Sequence, residues 1–65
     1  MIKVYRFDYI DAWASGLTII AAETLLEALD FMKKYDSDLC WQFKEELNYT
    51  VIGEKGVIAS DWFSL

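Results

Sequence analysis

Cys40 is the only thiol in the chain, and there is no histidine to accompany it. The thiolate is the reactive form of cysteine, and nucleophilic catalysis needs a nearby base, usually histidine, to generate it. Without that base Cys40 reads as a small residue packed in a strand. One cysteine also excludes an intramolecular disulfide, and one cysteine with no histidine excludes a Cys/His zinc site.

Carboxylates cluster as Asp36 with Asp38, Glu45 with Glu46, and Asp8 with Asp11. Such groups bind hard cations when enough oxygens converge, but a calcium loop needs further ligands in fixed register, an internal glycine and a closing bidentate glutamate. That pattern is missing, and these side chains read as solvated charge. Gly53-Glu54-Lys55-Gly56 has the glycines of a phosphate loop without its spacing or a following helix, and reads as a turn. No cofactor or metal is expected.

Tyr5, Phe7 and Tyr9 alternate as a base-stacking platform on an RNA-binding sheet would. Such platforms sit in a basic field, whereas this chain has a net charge of −5. Phosphate backbones and anionic membranes are therefore disfavoured as partners, and a neutral or basic protein is favoured. The first residues alternate instead of forming a secretory core, and no apolar run approaches the ~18 residues of a membrane span. With a single free thiol, the expected compartment is the cytoplasm.

The elements that would position these residues follow from periodicity. Ile2 to Tyr9 alternates and is rich in β-branched and aromatic types, which predicts a strand. One face carries Ile2, Val4, Arg6 and Asp8, the other Lys3, Tyr5, Phe7 and Tyr9. Ile10 to Gly16 predicts a turn with Trp13 near its tip, and Leu17 to Ala22 a second strand closing a hairpin.

Thr24-Leu25-Leu26-Glu27 matches a capping box and predicts a helix from Leu25, with Leu25, Ala28, Leu29, Met32 and Tyr35 as its buried stripe. Asp30 and Lys34 are ordered for an i,i+4 pair. Asp36-Ser37-Asp38 ends the helix.

From Leu39 the odd positions Leu39, Trp41, Phe43 and Leu47 alternate with polar ones, predicting a strand with one wet face. A second helix capped by Asp38 competes, because Leu39, Phe43 and Leu47 also recur every fourth residue. Thr50 to Ile52 and Val57 to Ser60 predict a hairpin around Gly53 and Gly56, with Asp61 to Leu65 as a tail.

Sixty-five residues suit a single domain spanning 1–65, of the α+β class, in the order ββαβ with a short fourth strand. The helix returns the chain so that the third strand runs parallel to the second, with the first strand in the middle of the sheet.

The hydrophobic fraction is 55% and the aromatic fraction 17%, more than one helix on one sheet face can absorb. The surplus predicts an apolar interaction surface on the face away from the helix, with Tyr5, Phe7, Tyr9, Trp13 and Trp62 as candidates. The expected function is a non-enzymatic interaction module that self-associates or binds a protein partner. The alternative is an acidic inhibitor or decoy, of the kind phages and mobile elements encode, occupying a basic site on a host enzyme.

Overall fold

A computed structural model describes the backbone of residues 1–64 and the side chains of residues 1–61. It contains β1 (Ile2–Ile10), β2 (Ala14–Ala22), α1 (Leu25–Tyr35), β3 (Trp41–Val51) and β4 (Gly56–Ser64). The strands form one antiparallel sheet in the order β3-β1-β2-β4, with α1 on one face, so the fold is α+β. As patterning predicts, β1 is central and β3 runs parallel to β2 on its far side.

The helix start follows from its cap. Thr24 is extended, and its Oγ1 accepts the Glu27 amide at 3.1 Å. The Glu27 carboxylate reaches back to the amide of Glu23, one residue before the cap instead of Thr24 itself. Asp36 leaves helical geometry at the other end while its amide still bonds Met32 O at 2.8 Å. Lys34 pairs with Asp30 at 2.9 Å. Ala28 and Met32 are buried and Leu29 is partly so, whereas Leu25 and Tyr35, at the ends of the expected stripe, are exposed.

Two strand expectations need correction, and the strand expected from Leu39 is borne out with shifted bounds. The first hairpin closes earlier than predicted, over 11–13, because the Asp11 side chain accepts the Trp13 amide in a local turn; Ser15 and Gly16 then pair in β2 opposite Ile10 and Tyr9.

Of the strand and the competing helix expected from Leu39 the strand holds, but it begins at Trp41; Leu39 and Cys40 lie in a turn, so Cys40 is not a strand residue. Asp38 caps a turn there, its Oδ1 accepting the Cys40 amide and its carbonyl the Trp41 amide. The strand runs on to Val51, and a bulge at Lys44 places Phe43 opposite Phe7 but Leu47 opposite Val4, so the two lie on different faces.

Finally, β4 does not pair with β3. It crosses to the far edge, pairs with β2, and takes the expected tail up to Ser64 into the strand. The positive φ angles of Gly53 (148°) and Gly56 (128°) lie in the β3–β4 connection, where glycine alone adopts them freely.

The core lies between α1 and the sheet. Tyr5, Phe7, Ile20, Ala22, Trp41, Ala28 and Met32 form one buried cluster, with Tyr9, Leu29 and Phe31 against it. Phe43 meets Phe7 edge-on at 5.9 Å, and Tyr9 meets Trp41 edge-on at 5.2 Å. Thr18 is fully buried, and its hydroxyl is bonded to that of Ser60 at 3.0 Å, which ties β4 to β2 beyond the backbone ladder.

Candidate protein interface

Tyr5 and Phe7 are not surface residues. They are 3% and 1% exposed and lie beneath α1, so the odd face of β1 is the covered one. The cause is charge: Arg6 and Asp8 stand on the other side of the pleat, where their ion pair stays hydrated, so the face with Tyr5 and Phe7 takes the helix. Tyr9 lies on the same face but at the end of the sheet, partly buried. Trp62 occupies a position opposite Gly16 in the β2–β4 ladder, and its side chain lies outside the described residues.

The face away from α1 carries Ile2, Val4, Leu17, Ile19, Ala21 and Leu47 around a charged centre. Arg6 Nε donates to Asp8 Oδ1 at 2.8 Å, and Glu45 is opposite Arg6 across the ladder. The Arg6 guanidinium is held above its ordinary pKa, chiefly by the bond to Asp8. Most of the apolar side chains here are half-buried by their in-plane neighbours, the usual condition of a solvated antiparallel face.

Large apolar side chains are more exposed elsewhere, at both ends of the sheet: Met1, Tyr49 and Ile52 at one end, and a second group at the other. An 11-residue helix is roughly 16 Å long, whereas an 11-residue strand spans roughly 36 Å. The helix therefore leaves the ends of the sheet uncovered. At the end formed by the β1–β2 turn and the α1–β3 connection, Ile10 is 60%, Trp13 76% and Leu39 90% exposed.

These two segments are fastened together. Ile10 donates its amide to Cys40 O at 3.0 Å, and Tyr9 Oη donates to Asp38 Oδ2 at 2.8 Å with Asp11 Oδ2 at 3.5 Å. Trp41 Nε1 donates to Asp36 Oδ2 at 3.1 Å, anchoring the helix end to the same corner.

Fixed polar partners set the electrostatics. Asp38 is held below the ordinary carboxylate range by the Cys40 amide first and the Tyr9 hydroxyl second, so it is ionised at neutral pH. The same bond, with partial burial, holds the Tyr9 hydroxyl well above the ordinary tyrosine range. Burial pushes the Cys40 thiol up, and Asp38 adds to it, so the thiol is protonated and a poor nucleophile. The tip thus presents an apolar surface among the anions Asp11, Asp36 and Asp38.

Among the described residues no three acidic or cysteine side chains come together as a metal site, and no helix is long and apolar enough to cross a membrane.

Of the expected interface residues, the structure brings Tyr9 and Trp13 together at this tip. Ile10 and Leu39 join them without having been singled out. Their signal in the sequence was an apolar residue next to a turn aspartate, Ile10-Asp11 and Asp38-Leu39, where burial by a neighbouring element was least available. Comparison with protein-family models, curated proteins and solved structures returns no match.

Proposed function

We propose that the chain is a small non-enzymatic, cytoplasmic interaction module that binds a protein partner through the tip formed by Ile10, Trp13 and Leu39. The observation that carries this reading is the exposure of a tryptophan and two large aliphatic residues on two segments held to each other by hydrogen bonds. Tryptophan is enriched among binding hot spots, and an anchor already ordered in the free protein loses less entropy on docking.

The surrounding aspartates select the partner's chemistry. An apolar recess with a basic rim is complementary, whereas a second copy of the same acidic tip is repelled. A photo-reactive residue in place of Trp13 tests the reading in cells. A discrete cross-linked species is expected from position 13 and not from position 26 on the exposed helix face; equal cross-linking from both positions would contradict it.

A second reading is favoured by the same cluster of Asp11, Asp36 and Asp38 on a chain of net charge −5. Here the tip occupies a basic nucleic-acid site of an enzyme as a decoy. Competition separates the two: a nucleic-acid duplex displaces a decoy from its target and leaves an apolar docking site occupied. High salt likewise releases the decoy more readily.

A further inference from the structure

We propose that the tip receives an arginine side chain of the protein partner, its guanidinium bridging Asp11 and Asp38 and its flat face lying on Trp13. This rests on the reading of the tip as a docking surface, and it names the group that the surface recognises.

Two carboxylates converge at the tip without a cation. Tyr9 Oη stands 2.8 Å from Asp38 Oδ2 and 3.5 Å from Asp11 Oδ2, so a single hydroxyl separates the two oxygens. A hydroxyl carries one proton, and the shorter contact gives it to Asp38. Asp11 Oδ2 is left facing a second carboxylate, and a cation placed between them turns that repulsion into attraction. The chain does not supply one: its ion pairs lie elsewhere, and among the described residues none includes Asp11, Asp36 or Asp38.

The carboxylates are also held in place. Asp11 Oδ1 accepts the Trp13 amide at 3.4 Å, and Asp38 Oδ1 accepts the Cys40 amide at 2.9 Å. Little of their rotamer freedom is therefore lost when a partner docks.

Shape selects arginine over lysine. A guanidinium presents five N–H groups in a planar fork that can serve two carboxylates at once, whereas an ammonium is a compact point charge. Its face also stacks on an aromatic ring, best on an indole. Trp13 offers an exposed indole in the turn that Asp11 braces, and apolar residues flanking the arginine would meet Ile10 and Leu39. A bare metal ion is not selected, because among the described residues no three acidic or cysteine side chains come together.

The test titrates the full chain with the peptide acetyl-Leu-Arg-Leu-amide, and with the same peptide carrying neutral citrulline or lysine in place of arginine, read by amide and indole NMR shifts. The expected result is saturable shifts at Trp13 and within 9–11 and 38–40, with affinity falling about tenfold for citrulline and several-fold for lysine. Asp11→Asn keeps an oxygen for the Trp13 amide, and it and Trp13→Ala should each weaken binding about tenfold while Leu26→Ala does not. Equal binding of the three peptides, an arginine effect that Trp13→Ala leaves unchanged, or no shifts at the tip would overturn the proposal. Cross-linking from position 13 keeps the two levels apart. A cross-link there without an arginine preference removes this inference alone, whereas its absence removes the docking surface beneath it.

Discussion

The Tyr9 hydroxyl donates to the Asp38 carboxylate at 2.8 Å, joining residues 29 apart in sequence and locking the α1–β3 connection to the end of β1. The bond holds Tyr9 above the ordinary tyrosine pKa, with partial burial adding to it. Because the folded value exceeds the unfolded one, this contribution to stability is complete below about pH 10 and is lost as pH rises beyond it. In a phenolate absorbance titration, Asp38→Asn should move the ionisation of the Tyr9 hydroxyl to lower pH than in the natural chain; titration curves of the two proteins that coincide would refute the tie.

At the opposite end of the helix the sign reverses. Glu27 is held below its ordinary carboxylate value by the Glu23 amide first and by Lys55, at 3.0 Å, second. Its contribution is present above about pH 4.3 and lost as pH falls through the lower folded value. Glu27→Gln should therefore flatten the acid limb of the stability curve, and because Glu27 is the main cause of the raised Lys55 ammonium, it should also weaken the loss of stability on the alkaline limb where Lys55 titrates. Thr24→Ala, which removes the cap acceptor, should cost about 1 kcal/mol at every pH in denaturant titration.

Phe7 and Ile20 face the same space under α1, both almost wholly buried. Phe7→Ala should cost about 3–5 kcal/mol and Ile20→Ala about 2–5 kcal/mol. Either loss is a large share of the stability of a domain this small. Arg6→Met, on the open face, should leave the folded fraction nearly intact by circular dichroism. Equal damage from the two faces would mean that the covered side has been misassigned.

Cys40 should react slowly with iodoacetamide at neutral pH, because burial and Asp38 both favour the thiol over the thiolate. Asp38→Asn should speed the reaction. Alkylation faster than that of a free cysteine in a model peptide would point to an activated nucleophile and reopen an enzymatic reading.

The architecture was legible where the signal is local. The Thr24 cap, the Asp30–Lys34 pair and the alternation of β1 each act within a few residues, and with the handed return of a helix they place β1 at the centre. Which face of β1 lies under the helix was less legible, because both faces carry apolar residues and the choice rests on the Arg6–Asp8 pair, which stays hydrated on the open side.

The bulge at Lys44 was also hidden. It separates Phe43 from Leu47, whose spacing fits a strand face and a helix face equally well. The pairing of β4 with β2 instead of β3 is a long-range choice, supported by the Thr18–Ser60 hydroxyl bond and by Lys55 reaching Glu23 and Glu27. The tip itself brings Ile10 and Leu39 together from segments far apart in sequence, and no local pattern records that they meet.

The central claim is that Trp13 anchors a protein partner, and the most direct test is quantitative affinity capture from source-cell extract with the natural chain, Trp13→Ala and Leu26→Ala as baits. Both side chains are largely exposed, so each replacement should change stability by less than about 0.5 kcal/mol. A specific protein enriched by the natural chain and by Leu26→Ala, but depleted at least tenfold with Trp13→Ala, is the predicted result. The same proteins recovered equally on all three baits would contradict it.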